Sequence, residues 1–283
     1  MSNLNDFVIQ DGVLIEYKGD DIDILIPDVV TVIGEGAFAT KKQIKSIIIP
    51  DSVKEIGVTA FWACSKLEKV TMGKGVEKIG IQAFALCNSL KEIVVGESVK
   101  HIDAHAFHEC INVKIIKIPS SVTKIEEGAF ERCQNLESID IASDNEYYSS
   151  IDGNLYNKDQ TILIRYALGK EETTFVLPST VNTLEVAAFA NCEKLTKIVL
   201  HNGIKVLPKD IFFGCINLEE INIPESIVEI DDFAFWCCHN LKELFLSSNI
   251  QYIGENVFNY CEKINIKADK NTYAYFYIST LFS

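Results

Sequence analysis

The sequence predicts a β-rich solenoid of about nine stacked coils, and three observations carry that expectation. Segments that begin at Val30, Val53, Val76, Val99, Val122, Val181, Ile204, Ile227 and Ile250 align at a period of 23 residues, broken once between the fifth and the sixth. Eight positions after each start stands a phenylalanine: Phe38, Phe61, Phe84, Phe107, Phe130, Phe189, Phe212, Phe235 and Phe258. Eight cysteines share one further offset: Cys64, Cys87, Cys110, Cys133, Cys192, Cys215, Cys238 and Cys261.

A period of this length lies in the leucine-rich-repeat range, so the fold class is a leucine-rich-repeat solenoid. Three positions into each coil comes Ile or Leu, as at Ile33, Ile79, Leu184 and Ile253, and a later aliphatic such as Leu67, Leu90, Leu136, Leu195 or Leu241 follows Phe at constant distance. A short alternating run then predicts a strand: Ile47 to Ile49, Ile116 to Ile118, Ile139 to Ile141, Ile221 to Ile223. Pro50, Pro119 and Pro224 end three of these runs because proline cannot extend a ladder, and Gly73, Gly96 and Gly203 do so elsewhere. One coil cannot bury its own apolar face, so coils must stack with like residues over like. Each buried Phe then contributes roughly 1.5 to 3 kcal/mol.

A cysteine tied to a core register reads as a small buried hydrophobe. Stacked cysteines hold their Cβ vectors side by side and not toward one another, so reduced thiols are expected. Cys237 is off-register and is the one candidate for a reactive thiol. Asp11-Gly12 and Asp152-Gly153, each between apolar runs, signal tight hairpins. A single domain over 1–283 is expected: an N-terminal hairpin cap (1–29), repeats one to five (30–145), a hairpin insertion (146–180), repeats six to nine (181–262) and a C-terminal cap (263–283). The Tyr-rich stretch Tyr273 to Phe282 matches no repeat and suits that last cap, with room for a helical turn.

Composition narrows the function. A hydrophobic content of 48% is ample for a continuous core, and a formal net charge of -14 with pI near 4.8 argues against nucleic acid, whose phosphates demand a Lys/Arg surface. No apolar run approaches the roughly 20 residues that span a bilayer, and Met1 to Asp11 lacks the basic start and apolar stretch of a secretory signal, so the chain reads as soluble. Nucleophile elbow, phosphate-binding loop, dinucleotide glycine fingerprint and zinc-protease helix are all absent from the sequence, so no enzyme and no cofactor are expected.

The string Val-x-x-Ile-x-x-x-Ala-Phe-x-x-Cys-x-x-Leu-x-x-Ile-x-Ile-Pro, nearly intact in 122–141 and 53–70, resembles the BspA-like (Treponema pallidum type) leucine-rich repeats. The likeness spans about residues 7–265, and the Ile-Asp-Gly-x-Leu-Tyr hairpin segment is similar too. The resemblance implies a right-handed solenoid with strands on a concave face. For several bacterial members it implies cell-surface adhesion to host or bacterial proteins, although the sequence carries none of their signal peptides, wall anchors or added surface domains.

On that face the outward positions are the candidate binding residues: Ile48, Thr71, Val94, Lys117, Asp140, Val199, Asn222, Glu243 and Phe245. Varied chemistry on a constant scaffold suits recognition of a protein or peptide, including a host or bacterial surface protein, and ordinary solvated surface varies likewise. Trp62, Phe213 and Trp236, each directly after a repeated Phe, are exposed-aromatic candidates, with packing against the neighbouring coil as the simpler reading. His101, Asp103 and His105 alternate as on one face of a strand, with His108 close behind. Their ligand types suit zinc and a metal-assisted hydrolase, whereas unrelated polar residues at these offsets in other coils favour plain surface. The leading expectation is a non-enzymatic interaction module; a surface adhesin for glycoprotein or polysaccharide stands second.

Overall fold

In the computed structural model, which describes residues 3–281, the chain divides into two compact units, Met1–Gly153 and Asn154–Ser283. The first opens with an antiparallel hairpin, Phe7–Gln10 against Val13–Tyr17. Its turn places Asp11 at φ 49° and Gly12 at φ 78°, the left-handed pair that an Asp-Gly hairpin turn requires. Asp152 and Gly153 repeat those two angles.

Two parallel ladders then climb this unit. One joins Val13–Tyr17 to the two-residue strands Val32–Ile33, Glu55–Ile56, Lys78–Ile79, His101–Ile102 and Lys124–Ile125. The other joins Asp23–Leu25, Ser46–Ile48 and Lys69–Thr71, then Glu92–Val94, Ile115–Ile118 and Ser138–Ile141. The sequence pattern announces only the second ladder. Its strands bury Ile47, Ile93, Ile116 and Ile139 while their neighbours turn outward, and in the Ile47 strand the pairing starts one residue earlier than the alternation suggests.

A third set of coil-to-coil hydrogen bonds runs along the corner that carries Phe. The Phe N–H donates to the carbonyl of the residue before Phe in the next coil: Phe61 to Ala83 (2.7 Å), Phe84 to Ala106 (2.8 Å), Phe107 to Ala129 (2.9 Å). The residues two before and two after Phe also donate forward, as Gln82 does to Ala104 (3.2 Å) and Leu86 to His108 (2.8 Å). The segment rounds a tight corner as turn backbone while these alternate N–H groups face the neighbouring coil. Both flanking positions adopt left-handed backbone: Thr59, Gln82, His105, Ala187, Asp210, Phe233 and Asn256 on one side, Thr40, Ala63, Leu86, Glu109, Arg132, Asn191, Cys237 and Tyr260 on the other, all with φ between 52° and 63°.

With coils fixed at this spacing, the Phe rings stack. Ring centroids lie 4.9 Å apart from Phe38 to Phe61 and from Phe61 to Phe84, then 5.3 Å to Phe107 and 6.0 Å to Phe130. Tyr17 extends the column below Phe38 (5.2 Å), and Phe7 closes it. Burial pushes the Tyr17 hydroxyl up to about 12. At the other end Asn145, wholly buried, donates to the Pro119 and Val122 carbonyls (2.9 and 3.0 Å) and accepts from the Tyr147 and Tyr148 amides, so its amide carries no unmet cost.

The second unit follows the same plan. Asn154–Asn157 and Ile162–Arg165 pair antiparallel, and Ile162–Arg165 continues in parallel into Thr183–Leu184. Val206–Leu207, Glu229–Ile230 and Tyr252–Ile253 form the short-strand ladder. Thr174–Val176, Lys197–Val199 and Glu220–Ile221 form the longer-strand one, with Glu243–Leu246 paired to Asn265–Ala268. Tyr166 leads the aromatic column into Phe189 (5.6 Å), Phe212, Phe235 and Phe258. Buried Arg165 donates to the carbonyls of Ala187 (2.6 Å) and Ala190 (3.3 Å), closing the open turn of the next coil.

The segments expected as hairpin cap and hairpin insertion therefore each supply a rung as well, Asp23–Leu25 and Thr174–Val176, with tyrosine in place of phenylalanine. The nine Phe-bearing coils are joined by two more, giving a β-solenoid of about 11 turns of ~23 residues with little helix. That helix, Tyr273–Leu281, covers the last coil: the Tyr277 ring meets Phe258 edge-on at 6.5 Å, and the Ile253 amide donates to the Tyr273 hydroxyl at 3.4 Å. Phe282, expected in this cap, and Met1 of the N-terminal segment lie outside the described residues. No helix among the described residues is long and apolar enough to cross a membrane.

Two stability measurements check this architecture. Phe84→Ala, in mid-column with no exposure, should cost about 3 to 5 kcal/mol in denaturant unfolding, and Phe258→Ala, with a ring stacked on one side only, less. At Gln82, a left-handed position, Gln82→Gly should be neutral or stabilising, because it relieves a backbone penalty of roughly 1 kcal/mol, whereas Gln82→Val should destabilise by about 1 to 2 kcal/mol.

Candidate functional site

The longer strands present the outward residues in vertical register. In the first unit Leu25, Ile48 and Thr71 lie side by side on paired strands, as do Val94, Lys117 and Asp140. In the second unit Val176 is beside Val199, and Phe245 beside Lys267. Ile48, Val94 and Phe245 keep 47%, 49% and 52% of their surface exposed, Thr71, Lys117, Asp140, Asn222 and Glu243 are exposed, and Val199 is half-buried. An alternating strand accounts for this: its middle residue enters the core, so its neighbours must leave it.

Each unit has a shallow groove on this face. In the first, Val94, Lys117 and Asp140 line a depression of about 410 Å³ with Glu97, Pro119 and Asp144. In the second, Val199, Asn222 and Glu243 line one of about 620 Å³ with Lys197, Glu220 and Lys242. Its lysines are engaged: Lys197 with Glu220 at 2.8 Å and Lys242 with Glu219. Lys117 likewise holds Glu92 at 2.7 Å, which raises the affinity of its amine for a proton. In the first groove Glu97, Asp140 and Asp144 outnumber the one lysine, whereas the three glutamates of the second are each paired with a lysine.

The three aromatics that follow a Phe are half-buried and not freely exposed. Phe213 and Trp236 stack on each other at 4.6 Å and 10°, and Tyr260 meets Trp236 edge-on at 5.1 Å, so packing against the neighbouring coil occupies these rings. Trp62 stands between coils that carry Ala39 and Ala85 at the same offset.

The four polar residues at 101–108 do not come together. Only His101 and Ile102 are strand; His101 is flanked in its ladder by Lys78 and Lys124, cations that repel a metal ion. Asp103 pairs with Lys78 at 3.2 Å. His105 leaves the strand at φ 56° and approaches His108, ring centroids 5.4 Å apart, and both face Glu131 of the next coil. Glu131 was not among the sequence candidates, because it lies 23 residues beyond His108 and meets it only through coil stacking.

Family comparison agrees with this geometry. Residues 18–137 and 167–278 match the BspA type Leucine rich repeat region in six copies. The chain belongs to the BspA-type leucine-rich-repeat family. Among solved structures, this BspA-type chain is similar to the pneumococcal vaccine antigen PcpA, with a TM-score of 0.74 at 24% identity over 95% of this chain and 88% of that one. It is similar to a leucine-rich cell surface protein of Faecalibacterium prausnitzii, with a TM-score of 0.56 at 27% identity over 97% and 94% of the two chains. A leucine-rich-repeat protein of Eubacterium ventriosum matches with a TM-score of 0.65 at 24% identity over 91% of this chain and 66% of that one. No curated protein matches.

The nine cysteines of this BspA-type chain are all thiols outside any disulfide, and those of the repeated offset are buried. Most do more than fill space: Cys64 Sγ reaches the Phe38 carbonyl of the preceding coil at 3.1 Å, Cys87 that of Phe61 at 3.2 Å, and Cys215 that of Phe189 at 3.2 Å. Burial pushes the Cys64 thiol up to about 12 and also raises Cys87 and Cys110 well above their ordinary value. Cys237, half-buried, is also shifted upward by desolvation, which disfavours the thiolate an activated nucleophile needs. A thiol reagent should therefore modify at most Cys237 in the native protein and all nine cysteines after unfolding. The Cys64 value in the folded state exceeds its ordinary value near 9, so its contribution to stability is complete below pH 9 and lost as pH rises toward 12. Denaturant melts across that window should show a decline of about 1.4 kcal/mol per pH unit for each such thiol.

Proposed function

We propose that the chain is a non-enzymatic interaction module that presents the outward face of its longer strands to a protein or peptide. The observation that carries this reading is the recurrence of one arrangement: in each unit an apolar side chain, Val94 or Val199, lies in a shallow groove among exposed polar residues of adjacent rungs. Exposed apolar area on a rigid surface supplies affinity, and the polar residues around it supply selectivity. The net charge of -14 favours a partner that brings cationic groups to the rim and opposes nucleic acid. Catalytic machinery has no part in this reading. The Faecalibacterium prausnitzii relative, described as a cell surface protein, favours a second one, an adhesin for host or bacterial glycoprotein or polysaccharide.

Burying one valine at an interface contributes roughly 1.5 to 3 kcal/mol, about a tenfold to a hundredfold in affinity. Proteins and glycans retained by the immobilised chain should accordingly be lost at least about tenfold from Val94→Arg and Val199→Arg variants of unchanged melting temperature. Val58→Arg, which charges an exposed apolar residue away from the grooves, should retain them. Equal recovery on all variants would remove this face from consideration.

A further inference from the structure

We propose that His105, His108 and Glu131 form a three-donor site for a divalent transition-metal ion of the zinc class, joining the coil that starts at Val99 to the one that starts at Val122. This goes beyond the strand-face reading and does not depend on it.

His105 Nδ1 and His108 Nδ1 lie 3.5 and 3.6 Å from the same carboxylate oxygen, Glu131 Oε2. The candidate donor atoms of the three residues all fall within 4.8 Å of one another, and among the described residues no other trio of His, Cys, Asp or Glu converges this closely. Both Nδ1 atoms are shielded from solvent, and neither has a hydrogen-bond partner. At 3.5 to 3.6 Å the gaps to Oε2 are too long for hydrogen bonds. They match the donor-to-donor edge of a tetrahedral zinc site, about 3.3 to 3.5 Å for metal–ligand bonds of roughly 2.0 to 2.2 Å. Imidazole and carboxylate are donors that such ions accept.

The surroundings orient the ligands. His108 turns its other nitrogen, Nε2, toward the Glu109 carboxylate at 3.7 Å, and Arg132 holds that carboxylate at 3.1 Å. Neither Nδ1 is hydrogen-bonded and both face the Glu131 carboxylate, so a cation held between them would satisfy all three donors. Gly128 keeps the space open: it occupies the left-handed position stacked on His105, and a Cβ there would fall on the imidazole ring. Three protein donors leave one tetrahedral position for water or for a donor brought by a partner.

The test uses the full chain carrying Cys237→Ser, which removes the one thiol that is not buried, titrated with zinc chloride by calorimetry and with cobalt chloride by visible absorption. One equivalent should bind, with the intense bands of tetrahedral cobalt. Glu109→Gln, which removes a nearby negative charge, should weaken binding, and His108→Gln and Glu131→Gln, which remove ligands, should weaken it by at least about 10-fold. Each variant is checked for an unchanged apo melting temperature, which the half-buried positions permit. Failure of the intact chain to bind one equivalent of either metal overturns the proposal. So does equal binding by a His105→Gln/His108→Gln double variant, or a ring-nitrogen NMR spectrum showing both imidazoles protonated and unmoved by added zinc.

Discussion

Everything in these coils depends on where the backbone of one coil finds its hydrogen-bond partners. A 23-residue coil with short strands cannot satisfy its own N–H and C=O groups, so the next coil must. It does so on three sides, through the two parallel ladders and the Phe corner. Once those bonds are made, the spacing is fixed near the strand repeat of about 4.8 Å, and every side chain is stacked on its equivalent 23 residues away. The phenylalanine column is a consequence: flat rings about 5 Å apart stack face to face at the coil spacing.

The cysteine column follows from the same constraint. The Phe carbonyl already accepts one backbone hydrogen bond in its own coil, as Phe61 O does from the Cys64 amide at 3.2 Å, and keeps a lone pair directed into an apolar interior. A thiol is apolar enough to be buried and still offers a weak donor to that oxygen. Serine would make the stronger bond at a higher desolvation cost, and alanine would leave the lone pair unmet. Cysteine therefore occupies this offset in a way that needs neither a disulfide nor reactivity.

What the sequence reveals is set by how strictly each position is selected for one residue type. The core columns admit few residues, so Phe38 to Phe258 and Cys64 to Cys261 are visible at once. The left-handed pair is equally regular in space, yet Thr59, Gln82, His105, Ala187 and Phe233 share no chemistry, and only Gly36, Gly128 and Gly214 hint at the conformation. The backbone imposes that geometry through the bonds to the next coil and not through propensity. The short-strand ladder is hidden for a related reason: two residues are too few to show an alternation, and Ile33 or Ile79 alone reads as core. The outward residues of the longer strands could be placed from the alternation around Ile47, Ile116 and Ile139, whereas the grooves they line depend on rung-to-rung register.

The trio at His105, His108 and Glu131 joins these threads. A left-handed residue two positions before Phe aims its side chain along the surface toward the residue just after Phe, which brings His105 to His108 within one coil. The 23-residue stacking then adds the residue after Phe from the next coil, Glu131. In other coils the same three offsets hold Thr59, Trp62 and Ala85, or Phe233, Trp236 and Asn259, which offer no imidazole or carboxylate. One scaffold geometry therefore delivers an aromatic stack in one place and converging donors in another. The backbone has no need to change between them, because outward columns are free to vary wherever the core columns hold the coils in register.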